Sequence, residues 1–227
     1  MNRVLFAEGL GSMLLSATVV GSGTMAERLA GGNVAVALMA NTLATVAMLA
    51  VLIALLAPLS GAHFNPAVSL VMLMKGDLAL GVTGLYVVMQ SAGCCVGTLL
   101  AHAMFDLPLL QTATHIRTGP AQWLSEVVAT AGLVIVALTS ANSREASWRV
   151  PAWIGAAYWF TASTSFANPA ITLARSLTDT FAGIAPSNVL GFWGAQLAGG
   201  LVGMGIVRIL VTDEATSARE AKPSRTM

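Results

Sequence analysis

Charge is the scarcest property of this chain. Its 227 residues hold 10 acids and 11 bases, 9% charged in all, where a soluble domain carries about 25%. A formal net charge of +1 leaves no concentrated basic surface, which excludes nucleic acid as a partner. Cysteine is nearly absent. Cys94 and Cys95 are adjacent in an apolar run, with no spaced Cys/His set for zinc and no disulfide framework. They read as small packing residues, and no metal site is expected. The three histidines and the scattered serines and aspartates place no nucleophile, base and orienter together. Neither enzyme chemistry nor a cofactor is expected.

What fills the chain is apolar: 56% of it is hydrophobic, which makes the lipid bilayer the expected solvent. A spanning helix needs about 20 mostly apolar residues. Six candidates run Val4–Gly23, Val34–Leu56, Leu78–Met104, Trp123–Ala141, Pro151–Thr164 and Val189–Val211. The first could pass for a signal peptide. Its apolar run is too long, it carries Glu8, and it lacks a cleavage site, so it reads as a retained span.

Two further apolar pieces, Pro66–Met74 and Pro169–Leu177, are about half as long. Each opens at an Asn-Pro-Ala triplet: Asn65-Pro66-Ala67 and Asn168-Pro169-Ala170. Asparagine is a good N-cap and proline suits the first helical position. Non-helical backbone at membrane depth must line a cavity or be buried in protein. The pieces therefore read as half-helices that dip into the bilayer around a pore. Interfacial helices are the alternative, disfavoured by weak amphipathicity and few basic residues. The expected fold class is an all-α membrane protein with six transmembrane helices and two re-entrant half-helices.

The halves repeat. Gln90-x-x-Gly93-x-x-x-Gly97 matches Gln196-x-x-Gly199-x-x-x-Gly203, and the two glutamines follow their triplets' asparagines by 25 and 28 residues. Glu8 and Glu126 stand early in the first span of each half. Three spans per copy is an odd number, so the second copy enters from the opposite side. Such inverted repeats place a site at the midplane. Residues 1–112 form the first copy (half-helix 66–74) and 113–211 the second (half-helix 169–177). Residues 212–227 form a polar tail, expected to be disordered. The glycine pairs let helices touch closely. Glu8 and Glu126 are costly in lipid and are expected to brace the loops.

The bias of basic residues sets the orientation. With the N-terminus inside, Arg3, Lys75, Arg144, Arg149 and Arg208 are cytoplasmic, as is the tail. Arg28, Arg117 and Arg175 lie outside. The expected location is the inner (plasma) membrane, with both termini cytoplasmic. Two half-helix N-termini meeting at the midplane, each near +0.5 charge, repel cations. Asn65 and Asn168 offer amide donors to a passing oxygen, and the loop carbonyls before them offer acceptors. The expected function is a passive channel for small neutral solutes.

The segment Ser60-Gly-Ala-His-Phe-Asn-Pro-Ala-Val68, the second triplet, Glu8, Glu126, Gln90 and Gln196 together resemble the aquaporin (major intrinsic protein) family. The resemblance covers nearly the whole chain apart from the tail. It implies a six-helix bundle with two half-helices, and a homotetramer with one pore per subunit. Most members of that family place an arginine directly after the second triplet, where it narrows the outer pore. Ile171 stands there in this chain. By the same resemblance the other filter positions are Thr45, Ser165 and a fifth-span residue near Ala162. All four side chains are small to medium, which implies a wide, weakly polar constriction.

The stretch from Tyr158 to Ile184 resembles bacterial aquaglyceroporins associated with arsenic resistance operons. That narrower resemblance implies glycerol-like polyols and uncharged arsenite or antimonite as solutes, with some water. Arg175, four residues after Ile171, is a candidate for the outer vestibule. It has an alternative partner in Asp179, four residues further on. A water-selective channel, an ion-coupled transporter and a non-conducting scaffold remain as other readings. The transporter is disfavoured because the expected lining lacks an acidic residue.

Overall fold

A computed structural model describes residues 2–220, with side chains as far as Val211. Among the described residues there are eight α-helices and no strand: α1 (Asn2–Leu29), α2 (Val34–Ser60), α3 (Pro66–Lys75), α4 (Leu80–Met104), α5 (Pro120–Thr139), α6 (Ser143–Phe160), α7 (Pro169–Arg175) and α8 (Val189–Glu220). Five of them are long and apolar enough to cross a bilayer. The sixth long helix, α6, falls short because its first two turns carry Arg144, Glu145 and Arg149.

The sequence places the start of this fifth span at Pro151, but α6 begins eight residues earlier. Asn142 caps it, accepting from Glu145 N at 3.0 Å. Arg149 pairs with Glu145 at 2.8 Å, one turn apart. Charge at the rim therefore continues the helix instead of breaking it. α6 also ends at Phe160, so residues 161–168 are loop. The polar segment expected after Val211 begins inside a helix. α8 continues to Glu220, because neither glycine nor proline interrupts the chain between Gly205 and Pro223. Residues 221–227 lie outside the described residues.

The packing repeats between the halves. α1 packs on α4 and α2, and α5 packs on α8 and α6 in the same way. The halves meet where α2 packs on α6, α4 on α7 and α3 on α8. The glycine motifs bring one helix backbone directly against another. A Cβ on Gly93 would sit 2.3 Å from the Gly9 carbonyl oxygen, and one on Gly97 2.1 Å from that of Met13. In the second half, Gly199 and Gly203 each approach a carbonyl of α5 to 2.5 Å by the same measure, at Val127 and Ala131. A side chain at any of these four positions would force the two backbones apart.

Polarity is inverted relative to a soluble protein. Glu8, Gln90, His102, Glu126 and Gln196 are fully buried, while Leu43, Val51, Leu55 and Leu190 are more than half exposed. An apolar exterior around a hydrogen-bonded polar interior suits lipid as the outer solvent. This is a multi-pass membrane fold.

Candidate functional site

The two half-helices meet N-terminus to N-terminus. Asn65 Oδ1 caps its own helix by accepting from Ala67 N at 2.9 Å, and Asn168 Oδ1 caps the other from Ala170 N at 3.0 Å. Each asparagine also reaches across. Asn65 Nδ2 donates to the carbonyl of Ala167 at 2.7 Å, and Asn168 Nδ2 donates to that of Phe64 at 2.8 Å. An asparagine amide carries two N–H groups. One on each is thus committed to the opposite loop, leaving one for a solute.

The loops feeding the triplets have matched backbones. Ala62 and Phe64 have φ of 51° and 48°, and Ser165 and Ala167 have 50° and 48°. These four positions are three and one residues before their asparagines. Left-handed geometry at a non-glycine residue is costly, so something must hold it. Glu8 accepts from the backbone N–H groups of His63 (3.1 Å) and Phe64 (2.8 Å), from the Ser60 hydroxyl (2.6 Å) and from Gln90 Nε2 (2.8 Å). Glu126 accepts from the N–H groups of Phe166 (2.9 Å) and Ala167 (2.8 Å) and from Gln196 Nε2 (2.6 Å). Gln90 and Gln196 then reach Ser69 and Thr172 on the half-helices. His63 bonds the Ser69 hydroxyl through Nδ1 at 3.1 Å and lies edge-on to Tyr86.

One cavity, about 140 Å³ in volume, runs past both triplets. At roughly 10–15 Å³ for one water position, it has room for a short file of waters or a small polyol. Thr45, Asn65, Ser165, Asn168, Ile171 and Arg175 all line it. Ala162 does not: it is exposed in the loop after α6, where its N–H donates to the Ser125 hydroxyl and its carbonyl accepts from Gln122. The fifth span, α6, instead lines the cavity with Val150, Ile154 and Tyr158, spaced one turn apart. The residue spacing of α6 could have found Tyr158; placing the helix end too late hid it. The lining is therefore not free of aromatics.

The Thr45 and Ser165 hydroxyls are buried and have no hydrogen-bond partner among the described residues. The arginine at the end of α7 is also buried. Arg175 lies over the Phe166 ring at 3.4 Å from the centroid, and its Nε donates to the Ala182 carbonyl. It does not pair with Asp179. That carboxylate accepts from the backbone and hydroxyl of Thr114, at 2.8 and 2.9 Å, on the connection between the halves. Those two bonds hold its pKa below the usual carboxylate range.

Comparison with known proteins agrees with this geometry. The family model described as Major intrinsic protein matches residues 1–167. The chain is 52% identical over 225 residues to Aquaglyceroporin AqpS of Rhizobium meliloti (strain 1021), covering 98% of this chain and 96% of that one. Its fold is similar to the X-ray structure of the aquaglyceroporin from Plasmodium falciparum, with a TM-score of 0.69 and 20% identity, over 91% of this chain and 94% of that one. The paired triplets, the carboxylate-held loops and the cavity between them thus sit in a recognised membrane-channel fold, and the chain belongs to the major intrinsic protein family.

Proposed function

We propose that this chain passes glycerol-like polyols and uncharged arsenite or antimonite, together with some water, by facilitated diffusion. The family is one of channels for small neutral solutes and not of enzymes. The solute class is our reading, and a single observation carries it. At the same cavity, two buried hydroxyls without partners among the described residues, on Thr45 and Ser165, accompany the apolar side chain of Ile171. A polyol has hydroxyls on a carbon chain, so it can bond to the first two and slide its carbons past the third. Trihydroxylated arsenic has a similar size and hydrogen-bonding pattern. The proposed filter is Thr45, Ser165 and Ile171, with Tyr158 as the fifth-span member.

The relative's name, an aquaglyceroporin, supports the same class. We further propose a homotetramer in the inner membrane with both termini cytoplasmic. The bias of basic residues supports that orientation. Trp123, Trp148 and Trp159 are exposed near helix ends, as expected at membrane interfaces.

Stopped-flow liposome assays with water, glycerol and arsenite test the proposal, with Ile171→Arg as the second sample. A long cation at position 171 is expected to cut glycerol and arsenite flux more than water flux. Equal losses, or none, would overturn the wide-filter reading. A wild-type channel that passes water alone would support the water-selective alternative.

A further inference from the structure

The guanidinium of Arg175 is a buried cation with no salt bridge among the described residues. Its side chain makes one hydrogen bond to the protein among the described residues, from Nε to the Ala182 carbonyl. Its terminal nitrogens, with four N–H donors, find no protein acceptor among the described residues, and the residue lines the cavity. A second guanidinium, Arg117, lies over the same Phe166 ring at 5.3 Å. It donates from Nε to Gly183 O at 2.9 Å and from a terminal nitrogen to Phe181 O at 3.4 Å. The two arginines thus hold three consecutive carbonyls of one loop, 181–183.

Neither arginine is in a salt bridge among the described residues. Asp179 is taken by Thr114, and Glu126 is consumed by two loop amides and Gln196. A buried cation that lacks a carboxylate must be solvated by whatever fills the space beside it. Here that space is the cavity, so the positive potential projects into the solute path.

We propose that Arg175 is the charge-selecting residue of this pore, delivered from the far end of α7 in place of an arginine at position 171. Arg117 is the positioning residue that fixes the Phe166 ring and the loop on which Arg175 rests. The distance of Arg175 along α7 from the triplet separates charge from width. The positive group meets the solute at the outer end, while Ile171 leaves the narrow part apolar. The inference rests on the channel reading, and neutral-solute flux in the wild type tests that reading independently.

The experiment measures glycerol flux and leaks of protons and sodium in the same proteoliposomes. The variants are Arg175→Gln, Arg175→Lys, Arg117→Gln and the double variant Arg175→Gln/Ile171→Arg. In Arg175→Gln, cation leak relative to glycerol flux is expected to rise about tenfold or more, the factor that about 1.4 kcal/mol of lost barrier produces. Arg175→Lys should keep most of the exclusion, Arg117→Gln should lose part of it, and Ile171→Arg in the double variant should restore it. A leak ratio unchanged in Arg175→Gln, with glycerol still passing, would overturn the proposal. If Arg175→Gln does not insert, the Arg117→Gln ratio decides it: a wild-type value there, with glycerol still passing, would also overturn it. Wild-type protein impermeable to glycerol would instead defeat the channel reading.

Discussion

Asn65 and Asn168 are bonded to each other's loops: each amide donates to the carbonyl one residue before the other asparagine. The triplets are therefore one joint, and neither half-helix can be placed without the other. Asn168→Ala removes a cap worth about 1 kcal/mol and leaves the Phe64 carbonyl without its donor, at about 1–3 kcal/mol. A lower midpoint of thermal unfolding in detergent is expected, with reduced glycerol flux. Asn65→Ala should behave alike. An unchanged midpoint for both would mean that the cross-bonds contribute nothing.

Glu126 uses both oxygens to hold backbone N–H groups. Glutamine has the same shape but presents an NH₂ in place of one oxygen, so a donor would face a donor. Hydrogen bonds to charged groups contribute about 1.5–3 kcal/mol each, and Glu126→Gln is expected to lose at least one. The same holds for Glu8→Gln, where Ser60, His63, Phe64 and Gln90 all donate. Unfolding midpoints check this, and a neutral result at both positions would refute the bracing role.

Helix contact depends on Gly97, where a Cβ would meet the Met13 carbonyl oxygen at 2.1 Å and Ala17 N at 3.0 Å. Both obstacles are backbone and cannot swing aside. Gly97→Ala should destabilise by about 1–3 kcal/mol through overpacking. Gly205 has nothing within 4 Å, so Gly205→Ala serves as the control and should not destabilise. Comparing the two melting curves separates close approach from a general effect of adding a methyl group.

Thr45→Val and Ser165→Ala remove hydroxyls that have no hydrogen-bond partner among the described residues. Stability should hold or rise, since no partner is orphaned. Glycerol flux relative to water should fall, by up to about tenfold if each hydroxyl supplies about 0.5–1.5 kcal/mol to a passing polyol. A fall in stability with no change in that ratio would assign the hydroxyls to packing.

The sequence revealed much of the joint, because its chemistry is local. Asn-Pro sets a helix start, and the two glutamates, glutamines and glycine pairs recur at matching places. The outer filter was less legible. The fifth-span residue was expected near Ala162, and the cavity receives Tyr158. The charged turn at Arg144, Glu145 and Arg149 hid the true start of α6, and a helix placed too late puts the wrong residue at its end. The partner of Arg175 was equally hidden. Helical spacing offered Asp179, but Thr114, 65 residues away in sequence, holds that carboxylate.

Taken alone, the sequence determined the solvent, the two-fold repeat, the half-helix starts and the absence of an arginine at position 171. Each of these is a matter of composition or of spacing within one segment. The tertiary structure decided which side chains share the cavity, that each asparagine serves the opposite loop, and that Phe166 carries two guanidiniums. Those relationships join residues from different helices and both halves. Their physical basis is the burial of polar groups in a bilayer, where donors and charges are met across the fold or by the cavity they line.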